Sequence, residues 1–156
     1  MPLTPPLRDD QGKVIPHDHP EILNDSGIIR RVHEEFVVTD PKARSGRRLS
    51  TSTLSASSGE NGGMSVDLEQ LILEAGQVPA DYVTTPRWIA SVRFQAHQLR
   101  AAGFQIGYDP VPESPTEQAN PCHGQVWGNF TKGVQKRLLK QCDWLVPHEG
   151  ADICCE

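Results

Sequence analysis

Met64-Ser65-Val66-Asp67-Leu68-Glu69-Gln70-Leu71-Ile72-Leu73-Glu74-Ala75-Gly76 is the stretch on which the fold turns. Leu68, Leu71 and Ile72 recur at helical spacing, and Ser65 stands where a cap would. Glu69 falls in the first turn and Gly76 supplies a stop, so the pattern predicts a helix. Short strands flank it. The runs 28–32 and 35–39 precede it, and 88–94, 104–108 and 124–127 follow. Two more helices are predicted over 95–102 and 133–145, the second with Val134, Leu138 and Leu139 inward and Lys132, Lys136, Arg137 and Lys140 outward. The order β-β-loop-α-β-α-β-loop-β-α predicts an α+β fold, one mixed, mainly antiparallel sheet with about three helices packed on it.

The 156 residues suit one domain, and 13 Gly with 13 Pro argue against a helical bundle. Pro2, Pro5, Pro6 and Gly12 mark residues 1–15 as a flexible tail. The domain is expected over 16–147, with a second tail over 148–156. Inside it, 41–63 is rich in Ser, Thr, Gly and Arg and reads as a long mobile loop, with a short strand or turn near Leu49 to Leu54.

Charge and cysteines bound the function. A formal charge of −5 argues against general nucleic-acid binding, although Arg44, Arg47 and Arg48 make a local basic patch. No run is long enough to span a membrane, and the N-terminus lacks the apolar core of a signal peptide. Cys122, Cys142, Cys154 and Cys155 lack the spacing of a disulfide framework, and the last two read as exposed thiols. A reduced, cytoplasmic setting is expected.

Asn120-Pro121-Cys122-His123-Gly124-Gln125-Val126-Trp127-Gly128 is the chemically richest segment. Pro121 favours an extended Asn120. His123 is the candidate catalytic residue, as general acid or base or as a phosphate contact, with Asn120 orienting a ligand. The plain alternative is a turn in which Asn120 and His123 cap a strand. Arg30 and Arg31, adjacent in a strand, must point to opposite faces. An inward arginine needs a carboxylate or phosphate, whereas an edge strand leaves both solvated or paired to Glu34, Glu35 or Asp25, and the rarity of buried charge favours the edge. Arg47, Arg48, Ser50 and Ser52 combine guanidinium and hydroxyl groups that suit anion binding, or a solvated loop. No Walker A pattern is present. His17-Asp18-His19 alone does not make a metal site, and no metal is assigned. Cys122 as a nucleophile requires a lowered thiol pKa and a base brought to it by the fold.

The segments Arg48-Leu49-Ser50-Thr51-Ser52 and Gly63-Met64-Ser65-Val66-Asp67-Leu68-Glu69, with Asp109-Pro110 and the Asn-Pro-x-His-x-x-Val-x-Gly block, resemble a group of uncharacterised small bacterial proteins over about residues 28–146. That resemblance implies a bacterial origin and no activity. Arg30 or Arg31 with Ser50-Thr51-Ser52 is also similar to part of the ADP-ribosyltransferase-like pattern, but His123 or Gln125 stands where a late catalytic glutamate is found.

Three functions remain open. One is an accessory or interaction protein that binds a protein partner or ligand through 41–63 and the His123 corner, with no firm cofactor. Another is an ADP-ribosyltransferase-like enzyme using NAD or a nucleotide. The third is a phosphate-directed hydrolase or nuclease built on His17, His19 and His123.

Overall fold

The computed structural model describes residues 3–56 and 63–154. In chain order the strands are β1 Gly27–Val32, β2 Val37–Thr39, β3 Arg47–Leu49, β4 Met64–Leu68, β5 Ala90–Gln95, β6 Gln105–Tyr108, β7 His123–Trp127 and β8 Asp143–Val146. The helices are α1 Glu69–Glu74, α2 Pro79–Val83, α3 Ala96–Ala101 and α4 Lys132–Gln141. Six strands form one sheet in the order β6-β7-β4-β1-β5-β8, and β2 pairs with β3 apart from it. Every pairing between named strands is antiparallel. The protein is thus α+β with a mainly antiparallel sheet, and α2 is the helix the sequence pattern did not show. Among the described residues no helix is long and apolar enough to cross a membrane.

The predicted helix over 64–76 is corrected in its first half. Met64-Ser65-Val66-Asp67-Leu68 alternates apolar with polar residues and forms β4, an interior strand. The helix begins only at Glu69, with Leu68 as its N-cap, so Ser65 caps nothing. The last predicted helix is corrected likewise. Thr131 caps it by accepting from the Val134 amide, it stops at Gln141, and Asp143–Val146 leaves as β8 to pair with β5. The strand predicted over 35–39 is a short 3-10 turn, Glu34–Phe36, followed by β2.

Register separates the two faces of the sheet, because directly opposed residues point the same way. Ile28 opposes Leu68 and Phe94, while Val126 opposes Met64 and Ile106. This face is apolar and buried, and it carries the core with Leu99 of α3 and Leu138 and Leu139 of α4. On the other face Ile29 opposes Asp67 and Arg93, Arg31 opposes Ser91, and Asp67 opposes His123. Gly124 lets β7 lie close to β6: a Cβ there would stand 2.6 Å from the Gly107 carbonyl oxygen.

Segments read as loop or tail are tied into this body. Leu49 and Leu54 are fully buried, and Thr51–Thr53 forms a 3-10 turn. Ala43, Leu49, Thr53 and Leu54 thus anchor 41–56 to the body, and residues 57–62 of the predicted loop lie outside the described residues. Leu3 and Val14 are buried, and Arg8 bridges to Val14. At the other end Asp152 pairs in parallel with Arg48, and Ala151 is buried. Cys154 is half-buried against the core, not an exposed thiol, while Cys155 lies outside the described residues.

Candidate functional site

β1 and β4 are paired only at Ile28–Leu68 and Ile29–Asp67. Beyond that point β1 continues beside β5 and β4 continues beside β7, so the sheet opens between them. Arg30 spans the opening. Its Nε donates to the Thr53 carbonyl at 2.9 Å and its Nη1 to the Ser65 carbonyl at 2.9 Å. The guanidinium thereby bonds a strand carbonyl at the place where the β1–β4 ladder has ended. Burial lowers the Arg30 pKa to about 10, and it stays a cation at neutral pH. The expected edge strand is corrected by this arrangement: β1 is interior, and its two arginines are held by the protein on opposite faces.

A cleft of about 970 Å³ lies at this opening, within the range of small-ligand sites. Its polar wall is a continuous hydrogen-bond network. The Asp67 carboxylate accepts from Arg31 Nε at 2.8 Å and Nη2 at 3.1 Å, a two-pronged pair. It also accepts from Asn120 Nδ2 at 2.9 Å. Asn120 Oδ1 in turn accepts from the Tyr82 hydroxyl at 2.5 Å and the Cys122 amide at 3.2 Å. Asn120 is fixed as well by its backbone pairing with Val111. Burial is the main cause that raises the Tyr82 pKa, so the phenol stays protonated and donates.

His123 starts β7 on the same face as Asp67. Its Nδ1 lies 2.7 Å from the Asp109 carbonyl oxygen and 3.5 Å from Asp109 Oδ2. A carbonyl only accepts, so Nδ1 carries a hydrogen in either protonation state and Nε2 is the atom that gains or loses a proton. Nε2 has no hydrogen-bond partner among the described residues. Burial by itself lowers the His123 pKa, but Asp109, with Asp67 behind it, outweighs that and holds it above the ordinary value. Asp109 is correspondingly held low: burial opposes this, while His123 and the Gln125 amide at 2.5 Å overcome it.

The other wall is aromatic and cationic. Phe36 and His33 stack with centroids 4.0 Å apart, and His33 meets Trp88 at 5.0 Å. The Arg30 guanidinium stands 5.7 Å from the Phe36 centroid, and Arg87 stands 5.1 Å from that of Trp88. The five side chains form a ladder with a cation at each end, and all five line the cleft.

Arg30, Arg31, Asn120 and His123, singled out in the sequence, therefore converge. Arg47, Arg48, Ser50 and Ser52 do not line the cleft. Arg47 pairs with Glu34 at 2.5 Å and Arg48 with Asp40 at 2.7 Å, while the Ser50 and Ser52 hydroxyls bond each other. The Ser-Thr-Ser segment runs into a 3-10 turn, Thr51–Thr53. Both rings of the His17-Asp18-His19 motif are used structurally. His17 bonds the Ile15 carbonyl and the Tyr108 amide, and His19 bonds the Thr4 carbonyl and the Glu21 amide. Among the described residues no group of three or more His, Cys, Asp or Glu is placed to hold a metal. Burial raises the Cys122 thiol pKa, the opposite of what a nucleophile needs. Tyr82, Arg87, Trp88, His33 and Phe36 carried no motif. Asp67 was legible only as the polar step in an alternating run.

Comparison of the chain with protein-family models, with curated proteins and with solved structures finds no match. The functional reading therefore rests on the cleft itself.

Proposed function

We propose that this protein is a small binding domain, with an accessory role, whose β1–β4 cleft takes a ligand bearing an anionic group. One observation carries the reading: two guanidinium groups of the cleft keep donors that the protein does not use. Arg31 commits Nε and Nη2 to Asp67, and no partner among the described residues takes Nη1. Arg87 is exposed and has no carboxylate partner among them. In a chain of net charge −5, this gathers cations at one opening. Guanidinium donors suit carboxylate and phosphate oxygens.

Titration calorimetry at low salt with inorganic phosphate, acetate and phosphorylated small molecules tests this. Binding of at least one of these anions, weakened in Arg87→Ala and by added salt, is expected. The absence of any heat with all of them, or binding untouched by Arg87→Ala, removes the reading. An anionic segment of a partner protein would meet the same donors, and a pull-down compared with Arg87→Glu distinguishes that source.

His123 favours a second reading, catalysis on the bound ligand. Its fixed Nδ1 and unpartnered Nε2 suit a group that exchanges a proton with whatever occupies the cleft. NAD or another nucleotide is the substrate class proposed under this reading. Loss of turnover in His123→Gln with ligand affinity retained supports it, and equal loss of both returns His123 to a positioning role.

A further inference from the structure

We propose that the ligand of this cleft is a nucleoside phosphate, with its flat base on the Trp88 end of the aromatic ladder and its phosphate on the arginines. The inference rests on the anion-binding reading above and adds the ring. An anion alone needs cations and donors, and the polar wall provides them. It gives no reason for Phe36, His33 and Trp88 to stand in sequence along the opposite wall, with ring centroids 4.0 and 5.0 Å apart. Phe36 and His33 cover each other's faces at 28°, and Trp88 is tilted by 53° to His33, so the Trp88 face under Arg87 is the π surface on which a heteroaromatic base can stack.

Arg87 shows how the two parts connect. Its guanidinium is planar, exposed, and held over the Trp88 ring at 5.1 Å. It occupies the place a base would take on that face. An arriving base displaces it, and the displaced cation is then free to meet the phosphate of the same ligand. Arg31 Nη1 offers a second donor from the cleft wall. Free mononucleotides fit better than a polynucleotide, because an acidic chain lacks the extended basic track that a phosphate backbone requires. The cleft volume of about 970 Å³ suits one such ligand.

The test uses the full chain and four probes: AMP, ribose 5-phosphate, adenosine and inorganic phosphate. Calorimetry should show AMP binding at least about tenfold tighter than ribose 5-phosphate, the gain that stacking one base on an aromatic ring brings. Trp88→Leu should reduce AMP to the affinity that ribose 5-phosphate has for the same variant, while Trp88→Phe should keep most of the preference. Proton NMR of AMP with the wild-type protein should show upfield shifts of adenine H2 and H8, a readout that needs no variant to fold. Equal affinity of AMP and ribose 5-phosphate, without upfield shifts, overturns the stacking and leaves the anion reading standing. A preference for AMP that survives Trp88→Leu also overturns it, since the base then sits elsewhere. If none of the three phosphate-bearing probes binds, the nucleoside phosphate reading fails, and if acetate is silent as well the anion reading fails with it.

Discussion

Replacing Asp67 with alanine tests the polar wall most directly. The Asp67 side chain is 3% exposed and that of Arg31 is 23% exposed. Alanine removes the acceptor of three hydrogen bonds, two from Arg31 and one from Asn120. It leaves a guanidinium and an amide donor without an acceptor inside the protein. Breaking a buried ion pair by deleting one partner costs about 3–5 kcal/mol. Water reaches the partly exposed Arg31 and pulls the figure to the low end, while the orphaned Asn120 amide adds to it. A loss of roughly 3–4 kcal/mol follows, a large share of a typical stability of about 5–15 kcal/mol. For a chain of this size it corresponds to a fall in Tm of roughly 6–16 °C. Urea unfolding followed by tryptophan fluorescence reads the loss, and urea is preferable to guanidinium because it leaves the ionic strength low. Arg31→Met combined with Asp67→Ala should cost less than the sum of the two single changes, since the double variant strands no charge. An Asp67→Ala protein within about 1 kcal/mol of wild type, or a cycle additive within about 0.5 kcal/mol, refutes the coupling.

Leu54→Ala should destabilise by about 2–5 kcal/mol, because Leu54 is fully buried; a neutral result in urea unfolding would mean that this segment is not packed. Gly124→Ala should cost about 1–3 kcal/mol, since its Cβ would stand 2.6 Å from the Gly107 backbone oxygen and β6 must move; retention of the wild-type urea midpoint contradicts that contact. His123 is held above its ordinary value of 6.5, so folding favours the imidazolium. The stability it contributes is complete below about pH 6.5 and is lost as pH rises through the folded value. The urea stability difference between wild type and His123→Gln should therefore shrink above that pH. Asp109→Asn, which removes the carboxylate partner, should lower the His123 pKa read from its imidazole C–H shifts by NMR, and an unmoved titration refutes the assignment.

Much of the sheet was legible because strand signals are local. Ile28 to Val32 and Gln105 to Tyr108 form strands close to where the residue types put them. The stretch 64–76 failed for an instructive reason. Met64 to Leu68 alternates with period two, whereas Leu68, Leu71 and Ile72 recur with the helical period, and Leu68 belongs to both patterns. The structure uses both, with Leu68 as the joint. Within 41–56 the short strand or turn expected near Leu49 to Leu54 is present as β3 and the 3-10 turn Thr51–Thr53. Small polar residues read as solvated chain, yet Leu49 and Leu54 suffice to seat the segment in the core.

The site was legible in part for a different reason. Arg30, Arg31, Asn120 and His123 were visible as residue types at odds with their surroundings, while the partners that give them meaning were not. Asp67 faces His123 only because β4 pairs with β7, and Arg31 reaches Asp67 only because β1 lies beside β4. No short-range pattern encodes that strand order. Trp88 and His33 meet because β1 and β5 are neighbours: Ala90, two residues after Trp88, opposes Val32, next to His33. Two adjacent arginines in a β-rich run were a further local signal, since they contradict the rule that interior strands present apolar side chains. Reading them as an edge strand resolved the contradiction by moving the strand outward. The fold resolves it by opening the sheet beside them, so that one guanidinium bonds backbone where the ladder ends and the other binds a buried carboxylate. A local rule broken at the centre of a sheet costs stability unless each charge is met, and here the side chains that meet the charges are also the walls of the cleft.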